Sequence, residues 1–229
     1  MESYPLLDVK RHLVIEVSGL TVLFDTGSPI SVGQRGLLRL AGRTWEPAAG
    51  ESPVLAQIGA WLGRPLDWLV GVDILATVPI LVDGPGRRVT FGATPHEGTG
   101  AELALDLRYS VPGVAIRHEG VTVDAFLDTG APVSYATPGA VTGREPDSSE
   151  TDFYPLVGPF TTPLYRLHVS VGGRPFTGRF GVLPVQLASL LQLIGERWIL
   201  GSDYFWSRRL LLDLGAKLAI DLTGVERLP

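Results

Sequence analysis

Two aspartates stand in matched settings in this chain. Phe24-Asp25-Thr26-Gly27-Ser28-Pro29 returns as Leu127-Asp128-Thr129-Gly130-Ala131-Pro132. With 13 Asp, 16 Thr and 28 Gly in 229 residues, random placement gives about 0.1 Asp-Thr-Gly tripeptides per chain. A single Asp-x-Gly behind a strand is commonly a turn. A pair is different, because two related lobes bring equivalent loops face to face about a twofold axis. Two carboxyl groups about 3 Å apart cannot both ionise cheaply, so one keeps a proton. One can then take a proton from water while the other donates to a carbonyl oxygen, which is general acid–base hydrolysis without a metal or a covalent intermediate.

The segments around these loops repeat as well. Val70-Gly71-Val72-Asp73-Ile74-Leu75 matches Leu200-Gly201-Ser202-Asp203-Tyr204-Phe205, and Ile80-Leu81-Val82-Asp83 matches Leu210-Leu211-Leu212-Asp213. Three matches in one order describe a duplicated lobe of about 100 residues. The second copy carries 27 extra residues between its first two landmarks, 130 − 103 in offset. Residues 13–24 and 115–127 read as hairpins with tight Ser-Gly and Glu-Gly turns, each running straight into Asp-Thr-Gly. Helices are expected at Val54–Leu62 and Val185–Ile194. Gly92–Ala101, small and polar, is the linker, so residues 1–96 and 97–229 are expected to form the two lobes.

Composition narrows the classes. The chain is 45% hydrophobic and 19% charged, with 28 Gly and 18 Pro, which favours strands and turns over long helices and excludes disorder. A net charge of −5, with 17 scattered Arg and 2 Lys, argues against nucleic acid as a partner. Without Cys, disulfide scaffolds, Cys-ligated metals and thiol nucleophiles are excluded. No apolar stretch is long enough to cross a membrane as a helix. The start, Met1 to Asp8, has no leader pattern, so a cytoplasmic, bacterial-type protein is expected. His12, His96, His118 and His168 fall in no ligand spacing and are expected to be structural, with no metal and no cofactor. No Gly-x-Ser-x-Gly elbow or phosphate loop occurs.

From about Leu13 to Leu222 the sequence resembles the aspartic peptidases, the family of pepsin and the retroviral proteases, on both Asp-Thr-Gly loops and both apolar-apolar-Gly segments. The resemblance implies an all-β, bilobal fold with a few short helices, built from retropepsin-sized halves in one chain and active as a monomer. It implies that Asp25 and Asp128 are the catalytic dyad of an endopeptidase, and that pepstatin-type inhibitors bind. Thr26 and Thr129 would interlock the loops through their hydroxyls, Gly27 and Gly130 would permit close approach, and Gly71 and Gly201 would lie in the segments threading behind the loops. Ser28 and Ala131 complete the motifs.

The two copies are expected to differ above the dyad. Family members close a β-hairpin flap over the substrate. Here the extra residues, Phe153 to Tyr165, have the aromatic and Gly content of such a hairpin, with Tyr154, Gly158, Phe160 and Tyr165 as its marked residues. The matching stretch of the first copy, Gly33 to Pro53, reads as helix or coil plus a loop. A single flap from the second lobe is therefore expected. Ser28 is expected to donate to Asp25, which Ala131 cannot do for Asp128, making Asp25 the more readily ionised and the optimum acidic to mildly acidic. Asp73 and Asp203 are read as capping or hydrogen-bonding groups. Trp198, Tyr204, Phe205 and Trp206 are read as core. The other reading of the whole is a peptide-binding or scaffold module that keeps the cleft and does not cleave.

Overall fold

The computed structural model describes residues 1–47, 50–94, 100–155, 157–193 and 198–225. It is an all-β protein in which one set of elements is laid down twice. In the first half, a sheet runs in the order Leu7–Val9, His12–Val17, Leu20–Phe24, Trp68–Val70, Val32–Gly33. In the second, Asp106–Arg108, Val111–His118, Val121–Leu127, Trp198–Leu200 and Ser134–Ala136 follow the same order.

Local chemistry explains the repeat. The hairpin turns are Ser18-Gly19 (φ 51° and 81°) and Glu119-Gly120 (φ 50° and 82°), the left-handed pair that matches the twist of the flanking strands. The inner strand of each hairpin, Leu20–Phe24 or Val121–Leu127, then pairs in parallel with the apolar-apolar-Gly segment, Trp68–Val70 or Trp198–Leu200. Parallel central strands are covered on both faces, so they read as continuous apolar runs.

The two halves meet in a third sheet of six strands. Its order is Glu2–Pro5, Arg88–Phe91, Ile80–Asp83, Arg209–Asp213, Leu218–Asp221, Ala101–Ala104. The equivalent strands lie side by side and antiparallel at its centre, Ile80 opposite Leu212 and Val82 opposite Leu210, as a twofold axis between them requires. One continuous apolar core runs beneath, from Phe24 and Trp68 through Val82 and Leu210 to Phe180 and Trp198. The boundary expected at 96/97 lies outside the described residues, as does His96.

The expected helices form over Pro53–Leu62 and Val185–Leu193, with Ile194 outside the described residues. The first is bounded as its sequence dictates. Ser52 caps it by accepting from the Leu55 amide (3.3 Å), Pro53 opens it, and Gly63 ends it at φ 72°. Leu55, Ile58, Gly59 and Leu62 form its buried face. Two single-turn helices, Val72–Leu75 and Ser202–Trp206, follow Gly71 and Gly201.

The halves diverge where the sequence lengths do. Beyond Ser134–Ala136 the second sheet continues through Arg174–Val182, Gly158–Val171 and Ser148–Tyr154. In the first half the corresponding stretch is not the helix or coil expected. It is a small hairpin, Leu38–Leu40 with Arg43–Trp45, turned by Ala41 and Gly42 at φ 54° and 72°. Alternation decides it: Leu38 and Leu40 are buried and Arg39 is exposed. Glu2 fastens its turn by accepting from the Ala41 and Gly42 amides, both at 2.9 Å.

Candidate active site

Each Asp-Thr-Gly loop begins where a parallel pairing ends. The Asp25 amide donates to the Val70 carbonyl (3.0 Å) and the Asp128 amide to the Leu200 carbonyl (2.9 Å), so each carboxyl group leaves the edge of a buried sheet. The threonines then join the loops. The Thr26 amide donates to Thr129 Oγ1 (2.9 Å) and the Thr129 amide to Thr26 Oγ1 (3.0 Å). Each hydroxyl donates onward across the axis, Thr26 to the Leu127 carbonyl (2.7 Å) and Thr129 to the Phe24 carbonyl (2.8 Å). Both threonines are fully buried, and the amide and hydroxyl of each have partners, as burial demands.

That interlock sets the carboxyl groups against each other. A Cβ on Gly27 would collide with the Asp128 carboxyl, and one on Gly130 would come within 2.5 Å of Asp25 Oδ1. Neither glycine has a positive φ, so space rather than backbone freedom requires them. Asp25 Oδ1 accepts from the Gly27 and Ser28 amides (2.9 and 3.1 Å), and Asp128 Oδ1 from those of Gly130 and Ala131 (2.8 and 3.2 Å). The two carboxyl groups are close enough to share a proton.

Desolvation by burial, then the charge of Asp128, push Asp25 up to about 8 against the pull of the two amides. Desolvation also raises Asp128. Together the two hold one proton between them toward neutral pH. The expected contribution of Ser28 is absent. Its hydroxyl donates to the Ile30 carbonyl (2.7 Å), and only its backbone reaches Asp25, which Ala131 matches for Asp128. The expected bias toward an ionised Asp25 therefore has no physical basis here.

The Gly71 and Gly201 segments run against the loops. A Cβ on Gly71 would lie 2.6 Å from the Ile30 carbonyl oxygen, and one on Gly201 2.8 Å from that of Ala131, so both segments pass directly behind the loops. A pair that sequence reasoning overlooked ties them there. Ser31 Oγ accepts from the Gly71 amide (2.8 Å) and donates to Asp73 Oδ1 (2.6 Å); Ser134 Oγ accepts from Gly201 (3.1 Å) and donates to Asp203 Oδ1 (2.7 Å). The signal was present, since the motif repeats through Asp-Thr-Gly-x-Pro-x-Ser. Asp73 and Asp203 are thus hydrogen-bonding groups. Burial raises Asp203 to about 6.

The segment expected to be the flap forms a hairpin of the second half, Ser148–Tyr154 with Gly158–Leu164. Its strands pair from Ser148 opposite Leu164 to Tyr154 opposite Gly158. Near the tip, Tyr154 is close enough to the dyad for desolvation, then the charges of Asp128 and Asp25, to raise its hydroxyl pKa. Gly158 restarts the chain at φ 86°, and Phe160 packs on Val133, Tyr135, Leu164 and Ile199. Beneath, the Tyr135 hydroxyl donates to Asp152, whose carboxyl burial lifts to about 6. Tyr165, expected among the hairpin's marked residues, lies elsewhere. It sits past the hairpin, paired with Phe180 and packed on the main core, because the strand re-enters the lobe at that point.

Trp198, Tyr204 and Phe205 are buried core; Trp206 is half-buried and donates from Nε1 to the Arg11 carbonyl (2.7 Å) across the halves. His12 and His118 are buried beside the Lys10 and His168 carbonyls (3.1 and 3.0 Å), and His168 Nδ1 lies 2.8 Å from Thr177 Oγ1. No described residues form a group of three metal-ligating side chains, and no helix among them is long and apolar enough to cross a membrane.

No protein-family model and no curated protein matches the chain. Among solved structures it is similar to the foamy viral protease-reverse transcriptase in complex with an RNA/DNA hybrid, at 16% identity and TM-score 0.34, covering 43% of this chain and 12% of that one. It is also similar to the simian foamy virus (mac) protease in solution, at 15% identity and TM-score 0.31, covering 40% of this chain and 88% of that one. The chain thus spans about an eighth of the length of the protease-reverse transcriptase it matches.

Proposed function

We propose that the chain is an aspartic endopeptidase whose dyad is Asp25 and Asp128. The observation that carries the reading is the reciprocal seating of the two carboxyl groups, each in the space a side chain on the other loop's glycine would fill. With one proton between them, the ionised member takes a proton from an attacking water while the protonated member donates to the scissile carbonyl oxygen. The product is a tetrahedral gem-diol, which collapses as the amine leaves with a proton. The Thr26–Thr129 interlock fixes the geometry, which keeps reorganisation small as charge develops.

Both carboxyl groups come from one chain, so the reading is of a monomeric enzyme whose partner is a peptide or protein substrate and whose expected inhibitor is of the pepstatin type. Residues 1–96 and 97–229 are the proposed lobes. The test is cleavage of a mixed peptide library from pH 3 to pH 8 by the wild-type chain and by Asp25→Asn and Asp128→Asn. Cutting with a bell-shaped profile that vanishes in both variants is the expected result. A folded wild-type chain that binds library peptides and cuts none at any pH would establish the non-cleaving module instead.

A further inference from the structure

The hairpin of the second half does not stop above its own lobe. Phe153 stacks on Trp61 of the first-half helix Pro53–Leu62, with ring centroids 5.7 Å apart and planes at 16°. It joins the apolar cluster of Val14, Leu23, Leu55, Ile58, Leu62 and Leu66, all first-half residues. On the same hairpin Glu150 pairs with Arg11 of the first half at 3.8 Å. Trp61 is itself held in place: Lys10 Nζ lies 4.1 Å from its ring centroid and donates to its backbone carbonyl. Tyr154, the next residue after Phe153, is near enough to Asp128 and Asp25 to feel their charges.

We propose that Trp61 is a positioning residue, the seat on which the single flap closes across the cleft. The proposal rests on the endopeptidase reading for its kinetic consequence, but the seat itself is a contact that exists without substrate. A hairpin anchored only at its base would sample open and closed positions. An aromatic pair at its far end favours the closed one and sets Tyr154 over the aspartates. A peptide enters by parting Phe153 from Trp61 and is held when the pair re-forms. In this molecule a helix face of the other lobe does the work that a second flap would do.

The test is hydrogen–deuterium exchange of the full chain without substrate, comparing wild type with Trp61→Ala, Phe153→Ala, the double variant and Trp61→Phe. Loss of one such pair is expected to speed exchange of the hairpin amides at 148–154 and 158–164 about tenfold, with the amides of Gly27 and Gly130 unchanged. The double variant should exchange no faster than either single one, because both remove one contact, and Trp61→Phe should restore protection. With a peptide that the wild type cuts, Trp61→Ala should raise KM about tenfold and leave kcat within about threefold. Unchanged hairpin exchange in Trp61→Ala, equal acceleration at Gly27 and Gly130, or additive effects in the double variant would each overturn the proposal. A chain that cuts nothing would remove the dyad reading and leave the exchange result to decide the seat.

Discussion

The first lobe's sheet ends at Val32–Gly33, a strand of two residues, whereas its counterpart Ser134–Ala136 continues into three further strands. The consequence shows at one pair of positions. Ile30 and Val133 occupy the same place after the two Asp-Thr-Gly motifs, yet Ile30 is 65% exposed and Val133 0%, because Phe160 and Leu164 of the second lobe cover the latter. The residues that meet across the axis, the aspartates and the threonines, are matched, and so are the Ser–Asp ties that lie within each lobe behind them. Residues that face the cleft or carry its roof are not. A shared axis constrains both copies at once, while the space above the axis needs only one occupant.

The comparison breaks first, and most severely, at the aspartates. Asp25→Asn and Asp128→Asn should each lower kcat/KM by roughly a thousandfold or more, since either removes the general acid–base pair. Activity surviving in one variant, in peptide cleavage assays, would show that the loops are not equivalent. The next effect is on stability. Thr26→Val and Thr129→Val each leave buried partners unsatisfied and should cost about 1–3 kcal/mol, equally for the two lobes, in denaturant titrations. Unequal losses would mean that the interlock is not reciprocal.

Position 30 against position 133 then sharpens the asymmetry. Val133→Ala should destabilise by about 1–2 kcal/mol, whereas Ile30→Ala should stay within about 0.5 kcal/mol, measured the same way. The comparison is sharpened further by the pH dependence of the melting temperature. Asp25, Asp152 and Asp203 are held up at about 8, 6 and 6 from 3.8. Between the unfolded and folded values the folded state binds more protons, so this stability is complete below about pH 4 and declines as pH rises toward 8. Asp152→Asn, on the second lobe's hairpin, should remove the Asp152 share of the slope between about pH 4 and 6 and leave the shares of Asp203 and Asp25. A flat melting profile would refute these shifts. In a pH–rate profile of peptide cleavage, the raised Asp25 pKa is expected to carry the alkaline limb above the mildly acidic range.

Much of the site could be read before any fold was known, because its parts are short and repeated. Asp-Thr-Gly, the glycines at 71 and 201 and the two helices each carry a local signal, and reading the repeat two residues further would have found Ser31 and Ser134. What escaped was either a competition between hydrogen-bond partners or a contact distant in sequence. The Ser28 hydroxyl is taken up by the Ile30 carbonyl and not by the Asp25 carboxyl. Residues 38–45 alternate too briefly to announce a hairpin, and Tyr165 differs from Phe160 only in which side of a strand's re-entry it occupies.

The sequence by itself determined that two equivalent aspartates would end two equivalent strands, because strand alternation, turn residues and the duplicated motifs are local properties of the chain. Only the tertiary structure decided how the cleft is closed. Trp61 and Phe153 belong to different lobes and are brought together by the packing of the hairpin against the first lobe's apolar cluster. No periodicity or spacing encodes that contact; it is fixed by where the two lobes come to rest about their common sheet.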